Sequence, residues 1–244
     1  MPVAAFDLAD PVLVIGLLLA GHMLADFAFQ TRHMVEEKPS SPRALASHAL
    51  EVALVQAAAV LWFSCSVQGV LLVVAIALAH LLIDRTKAVL EARWSMRALL
   101  WFAADQAAHV GVLWLAWRHW PPALVYRGDP EVVGRVALCV AVYAFNLNGG
   151  SGLVTALLRG MRPERADPST PTGPGRMIGI LERLLIATLV WRGQWSAVGL
   201  VMTAKSVARY KRLEEQEFAE AYLIGTMSSV AVAMASGLLL SALL

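Results

Sequence analysis

Four of the six histidines, His22, His48, His80 and His109, fall inside long apolar runs, as do three of the seven aspartates, Asp26, Asp84 and Asp105. An ionisable side chain in hydrocarbon costs on the order of several kcal/mol, so seven of them in four runs call for a chemical reason. The spacing supplies one. His22 and Asp26, His80 and Asp84, and Asp105 and His109 are each four residues apart, which puts both members of a pair on one helix face. Gln30 continues the first stripe. Imidazole with carboxylate is a ligand set for zinc, manganese or iron. Cys65 and Cys139 are too few and too far apart to supply a thiolate site, which argues against a structural zinc. The expected cofactor is a divalent metal, zinc foremost, held among His22, Asp26, His48, His80, Asp84, Asp105 and His109. Seven candidates exceed the four ligands of one tetrahedral zinc. Either some aspartates orient metal-bound histidines, or two metals share the carboxylates. A free carboxylate among Asp26, Asp84 and Asp105 would act as general base, so these three are also the candidate catalytic residues. The same groups without metal could form a proton or ion path, or a structural hydrogen-bond network. Glu51, three residues after His48, could join the cluster or pair with a neighbour, and His33 and His119 read as solvated.

The elements that must position these groups are membrane helices. Of the 244 residues 58% are hydrophobic and 16% charged, well below the roughly 25% charged of a soluble domain. Apolar runs lie at about 12–30, 44–64, 67–84, 98–117, 135–158, 177–191, 195–204 and 221–244. Most reach the roughly 17–25 residues of a spanning helix. The sixth and seventh are short and could span as a tight pair or re-enter from one side. The expected fold is therefore an all-α polytopic transmembrane bundle of about eight segments. The first residues carry Asp7 and Asp10 in place of basic residues, unlike a cleavable signal peptide. Arg32, Lys38 and Arg43; Arg85, Lys87, Arg93 and Arg97; Arg159, Arg162, Arg165 and Arg176; and Lys205, Arg209, Lys211 and Arg212 fall on one side of such a bundle. Only Arg118, Arg127, Arg135 and Arg192 fall on the other. The basic side is cytoplasmic, so both termini are expected outside the cytoplasm. Trp62, Trp114, Trp117, Trp120, Trp191 and Trp195 then mark the outer interface, and Trp94 and Trp101 the inner one.

This topology orders the site. The first and third helices run inward and read His then Asp; the fourth runs outward and reads Asp then His. Each histidine is then the deeper member of its pair, roughly 8–16 Å inside the cytoplasmic end at about 1.5 Å per residue. His48, near the start of the second helix, joins at similar depth, and the cavity opens to the cytoplasm. His22-Met23-Leu24-Ala25-Asp26 also resembles His80-Leu81-Leu82-Ile83-Asp84, a short internal repeat in helices of the same direction.

Two irregular stretches punctuate the chain. Asn146-Leu147-Asn148-Gly149-Gly150-Ser151-Gly152 should break or kink the fifth run. The proline- and glycine-rich stretch 161–175 reads as a cytoplasmic linker between a front bundle, 1–160, and back helices, 176–244. The back carries a second polar set. Glu182 is expected to lock helices together through Lys205 or Arg209, a structural role. Arg183, Lys205 and Arg209 could form an anion pocket, and with Gln30 and Lys87 they are the candidate substrate-binding residues.

The pattern His22-x3-Asp26-Phe27-x2-Gln30, Lys38, His48, His80-x3-Asp84-x2-Lys87 and Asp105-Gln106-x2-His109 resembles a bacterial family of integral membrane proteins, domain of unknown function 3307. The resemblance continues through Ile178-Gly179-x-Leu181-Glu182-Arg183-x-Leu185-Ile186, Thr203-Ala204-Lys205-Ser206-x2-Arg209 and Leu223-Ile224-Gly225-Thr226-x-Ser228, and so covers nearly the whole chain. It implies a bacterial inner-membrane protein and no settled activity. A looser likeness of the His/Asp pattern to membrane-bound metal-dependent hydrolases is an analogy. Function therefore rests on the site. The first expectation is an intramembrane metal-dependent hydrolase acting on an amphiphilic or anionic small molecule from the cytoplasmic leaflet. The second is a metal-ion or proton transporter using the same ligands, and the third a non-catalytic membrane partner protein. The basic residues lie in short loops, so no nucleic-acid partner is expected; the lipid bilayer is, and the oligomeric state stays open.

Overall fold

The computed structural model of the chain describes residues 11–63, 65–94, 97–119, 129–161 and 174–244. They form helices joined by short turns, with no strand among them. The helices are α1 (Pro11–Met23), α2 (Arg32–Glu37), α3 (Pro42–Phe63), α4 (Val67–Arg93), α5 (Ala98–Arg118), α6 (Pro130–Ala144), α7 (Gly150–Met161), α8 (Pro174–Trp191), α9 (Trp195–Ala208) and α10 (Gln216–Leu243). Four of them start at a proline, whose fixed φ and missing N–H suit the first helical position. Ser66 and Thr31 cap α4 and α2, their hydroxyls accepting from Gly69 N at 3.0 Å and Met34 N at 3.3 Å.

Six helical stretches are long and apolar enough to cross a membrane: Pro11–Phe29, Pro42–Leu61, Val67–Arg93, Ala98–Arg118, Pro130–Arg159 and Phe218–Leu243. They match the first five runs and the eighth. Large apolar residues such as Leu54, Leu71, Leu82 and Leu200 stay exposed on the helix surfaces, as lipid-facing positions require. The sixth and seventh runs are α8 and α9, of 18 and 14 residues. At about 1.5 Å per residue α9 is roughly 21 Å long, short of a hydrocarbon core of about 30 Å. Gly193, at φ 68°, turns α8 into α9; the left-handed backbone there favours glycine.

The described residues gather into two compact units, one of 11–94 with 100–144 and another of 97–99 with 145–244. The division falls at 144/145, earlier than the boundary expected at 160, so α7 groups with the back helices. Most of the expected linker 161–175 lies outside the described residues, as do Asp7, Asp10, Trp120, Arg127, Arg162 and Arg165 and the side chains of Arg32 and Trp62.

In the first unit α1 packs against α6 and α3, and α3 against α4. Glycines bring α1 and α6 together. A Cβ on Gly134 would lie 2.7 Å from Leu13 N, and one on Gly16 2.7 Å from Gly134 O. Without a hydrophobic drive between helices in lipid, such backbone approach supplies the packing. Val14 and Leu18 of α1, Val60 and Phe63 of α3, Val73 and Ile76 of α4, and Leu113 and Ala116 of α5 close one end of the unit as an apolar cluster. In the second unit α8 and α10 pack with Gly237 against α8, where a Cβ would meet Ala187 O at 2.6 Å.

Two helices contain a wide π-type turn. The one at Phe145–Gly149 lies in the Asn/Gly stretch, where a break or kink is expected, and α7 follows it directly. The other, Leu24–Phe29, carries Asp26 and follows His22; the apolar sequence around it gave no warning of it.

Candidate metal centre

His22, His48, His80 and His109 are all buried, between 0 and 3% exposed. They come from α1, α3, α4 and α5 and meet as a group of rings. His80 lies 4.2 Å from His109 and 5.0 Å from His48 between centroids, and His22 stacks on His109 at 4.9 Å. The aspartates sit beside them, each carboxylate 8–9% exposed. Asp26, on the wide turn, has Oδ1 at 3.3 Å from His48 Nε2 and 3.4 Å from His80 Nε2. The two imidazole nitrogens face each other at 3.0 Å. His22 Nδ1 lies 3.8 Å from the other Asp26 oxygen. Asp84 Oδ2 is 3.7 Å from His80 Nε2 and 3.8 Å from His48 Nε2, and its Oδ1 is 4.0 Å from His109 Nε2. All seven predicted ligands therefore share one site in the first unit.

Hydrogen bonds fix which nitrogens carry protons. His109 Nδ1 lies 2.9 Å from the Asp105 carbonyl oxygen, which can only accept. The proton sits on Nδ1, and Nε2 presents a lone pair to the cluster. His48 Nδ1 faces Glu51 Oε2 at 3.5 Å. The Gln30 amide, with its oxygen towards Lys38, accepts from Lys38 Nζ at 2.6 Å and from His48 Nδ1 at 3.3 Å. Both partners of His48 Nδ1 are acceptors, so His48 Nε2 also presents a lone pair. Three buried atoms aimed into this group, His22 Nε2, His109 Nε2 and Asp26 Oδ1, find no hydrogen-bond partner among the described residues. The separations of 3.0–3.4 Å among His48 Nε2, His80 Nε2 and Asp26 Oδ1 match the ligand edge around a tetrahedral ion. Bonds of about 2.0–2.1 Å to nitrogen and oxygen give edges of about 3.3–3.4 Å.

The carboxylates nearer the open end are held by lysines. Lys38 Nζ donates to Asp84 Oδ2 at 2.8 Å, and Lys87 Nζ to Asp105 Oδ2 at 3.2 Å, where Gln106 Nε2 also donates at 3.2 Å. Lys38 is 17% and Lys87 30% exposed, so exposure rises from imidazole to carboxylate to ammonium. On the other side of the rings a small cavity lined by His22, Gln56, His80, His109 and Leu113 ends at the apolar cluster. Gln56, fully buried, donates from Nε2 to Leu18 O at 3.1 Å and packs on Gly21.

The second unit spends its charges differently. Lys205 Nζ donates to Glu182 Oε2, the lock expected between α8 and α9. Arg183, 4% exposed, donates from Nε to Asn146 O at 3.0 Å and from Nη2 to Leu147 O at 3.1 Å and Ser151 Oγ at 2.6 Å. The guanidinium fork meets carbonyls of the wide turn. Gly150 makes room, since a Cβ there would lie 2.8 Å from Arg183 Nε. Arg176 donates to Asn148 Oδ1, and Arg209 lies over the Tyr222 ring at 5.9 Å. The anion pocket expected of Arg183, Lys205 and Arg209 is thus replaced by a carboxylate, backbone carbonyls and an aromatic face as their partners.

The sequence model of a family described as "Protein of unknown function (DUF3307)" matches residues 13–124. The DUF3307 segment holds all four cluster histidines, the three aspartates, Gln30, Lys38 and Lys87. The back motif around Glu182, Lys205 and Thr226 lies beyond it. No curated protein and no solved structure matches the chain.

Two contributors escaped the site reading from sequence. Lys38 counted only as a loop charge and a position in the family-like pattern, because no periodicity ties a loop residue to Asp84. Gln56 stands eight residues after His48 on the buried stripe of α3, with Val52 and Val60. An amide inside an apolar run is itself a signal.

Proposed function

We propose that the protein is an intramembrane metal-dependent hydrolase, with a divalent cation, zinc foremost and manganese or iron as alternatives, at the His/Asp cluster. The observation that carries this reading is the convergence of His48 Nε2, His80 Nε2 and Asp26 Oδ1 at 3.0–3.4 Å in a buried site. A divalent cation there would bring the pKa of a ligated water towards neutrality and polarise a carbonyl or phosphoryl oxygen. The chain supplies the rest. His109, held at Nδ1 by the Asp105 carbonyl, offers Nε2 as proton acceptor. The Asp105 carboxylate, 3.7 Å from Nδ1, stabilises the imidazolium that forms. This reading moves the general-base role from the aspartates to His109, because Lys38 and Lys87 hold Asp84 and Asp105 as ion pairs. The partly exposed ammoniums of Lys38 and Lys87 stand where an anionic headgroup would arrive.

One-sided access favours an enzyme over a conduit. The polar groups reach one end of the unit, and the apolar cluster closes the other. By the distribution of basic residues, the open end faces the cytoplasm of a bacterial inner membrane, and both termini lie outside. The test is elemental analysis of the purified full chain, joined to mass spectrometry of products from a total lipid extract, with and without chelator. Stoichiometric metal and chelator-sensitive hydrolysis are expected. Metal without products, but with ion flux into vesicles, would overturn the enzyme in favour of a transporter. Protein free of metal after growth in metal-replete medium and after reconstitution would overturn the centre itself.

A further inference from the structure

We propose that the centre holds a single divalent cation, on Asp26, His48 and His80, and that the ammoniums of Lys38 and Lys87 occupy the places a second ion would need. This deepens the metal reading above and rests on it. Seven ligand-type residues could in principle serve two ions. The groups close enough to do so are His22, Asp26 and His80; His48, His80 and Asp84; and Asp84, Asp105 and His109. A second ion separate from the Asp26 position would have to take the last group. Both of its carboxylates are already neutralised. Lys38 Nζ lies 2.8 Å from Asp84 Oδ2, and Lys87 Nζ lies 3.2 Å from Asp105 Oδ2. A divalent ion on the remaining oxygens would stand within a few ångströms of two ammoniums, in a poorly solvated site where like charges repel strongly.

The charge count agrees. Asp26, Glu51, Asp84 and Asp105 give four negative charges against the two lysines, a net charge of −2. One divalent cation brings the group to neutrality. Two would leave +2 in a site with carboxylates no more than 20% exposed, which desolvation opposes. Asp26 and Glu51 are the carboxylates facing no lysine in these pairs; Asp26 neighbours His22, His48 and His80, and Glu51 faces His48 Nδ1. Both uncompensated carboxylates therefore touch the proposed ligands, Asp26 directly and Glu51 behind His48.

The test is titration of the purified, metal-stripped full chain with Co2+, followed by visible absorption and by electron paramagnetic resonance. Saturation at one equivalent per chain, with the signal of a magnetically isolated ion, is expected. Lys38→Met with Lys87→Met should admit a second equivalent and raise Co2+ content twofold. Two equivalents in the wild type, with spin coupling between them, would overturn the single-ion proposal and leave the metal reading standing. A folded double variant that still stops at one equivalent would overturn the role given to the lysines. Should the double variant fail to fold, the wild-type stoichiometry and spectrum decide. No Co2+ binding at any ratio would sink the metal reading and this inference together.

Discussion

A neutral imidazole has one donor and one acceptor, and a backbone carbonyl decides which is which. The carbonyl of Asp105 does so for His109, and the Gln30 and Glu51 oxygens do so for His48. These small contacts aim the Nε2 lone pairs of His48 and His109 into the cluster, as the proposed ligand and base roles require. They also separate the roles experimentally. His80→Ala and Asp26→Asn should cut metal content at least tenfold, read by elemental analysis of protein purified in a folded state. Glu51→Gln should keep the metal but weaken it, by roughly 10–100-fold in affinity as for other orienting groups; competition with a chromogenic chelator checks this. His109→Gln should retain metal and lose turnover, and loss of metal from that variant would make His109 a ligand instead of a base. The ligand types and their four-residue spacing were legible in the sequence because a helix converts spacing into direction. The tautomers were not, because they depend on a backbone oxygen and on Gln30, whose reach across to Lys38 no periodicity reveals.

Wide turns make the next level of organisation. The Asn/Gly stretch at 146–152 announced an irregular helix, yet its partner was misread. Arg183 was expected in an anion pocket, and it instead closes the carbonyls of Asn146 and Leu147. Adjacent helical residues point about 100° apart, so Glu182 and Arg183 meet different neighbours, but sequence alone could not choose between an external anion and a backbone carbonyl for Arg183. Both residues now belong to the packing of the back helices. Arg183→Met leaves three acceptors without their donor, at about 1–3 kcal/mol for each buried group. Glu182→Gln leaves the Lys205 ammonium unpaired. Each should lower folded yield and thermal stability, measured by size-exclusion chromatography after heating in detergent. An Arg183→Met protein as stable as wild type would return the residue to the ligand-binding role. Helix contact in the front unit depends on glycine in a comparable way. Gly134→Leu should separate α1 from α6, since a Cβ alone would already meet Leu13 N at 2.7 Å. A large loss of folded protein is expected in the same assay, and Gly111→Leu, where a Cβ meets nothing within 4 Å, should cost little.

At the largest scale, composition dictated an all-α membrane protein, and six helical stretches among the described residues answer to it. The two short runs resisted because α9 is too brief to span unaided, yet is sealed to α8 by Gly193 and the Glu182–Lys205 pair. Either path adds an even number of crossings, so topology rests on charge. Reporter fusions at the C-terminus should report a non-cytoplasmic location, and a cytoplasmic signal would reverse the assignment of the open end. The apolar cluster of Val14, Leu18, Val60, Phe63, Val73, Ile76, Leu113 and Ala116 then has a bioenergetic meaning. It insulates. Four imidazoles and three carboxylates are the materials of a proton wire, and a leak through them would drain the potential of any membrane that carried the protein. Side chains without a polar atom interrupt the wire above the rings. Vesicles containing the protein should therefore hold an imposed pH gradient as long as protein-free vesicles do. Replacing Ile76 and Leu113 by serine should shorten that lifetime, as the insulation becomes wettable.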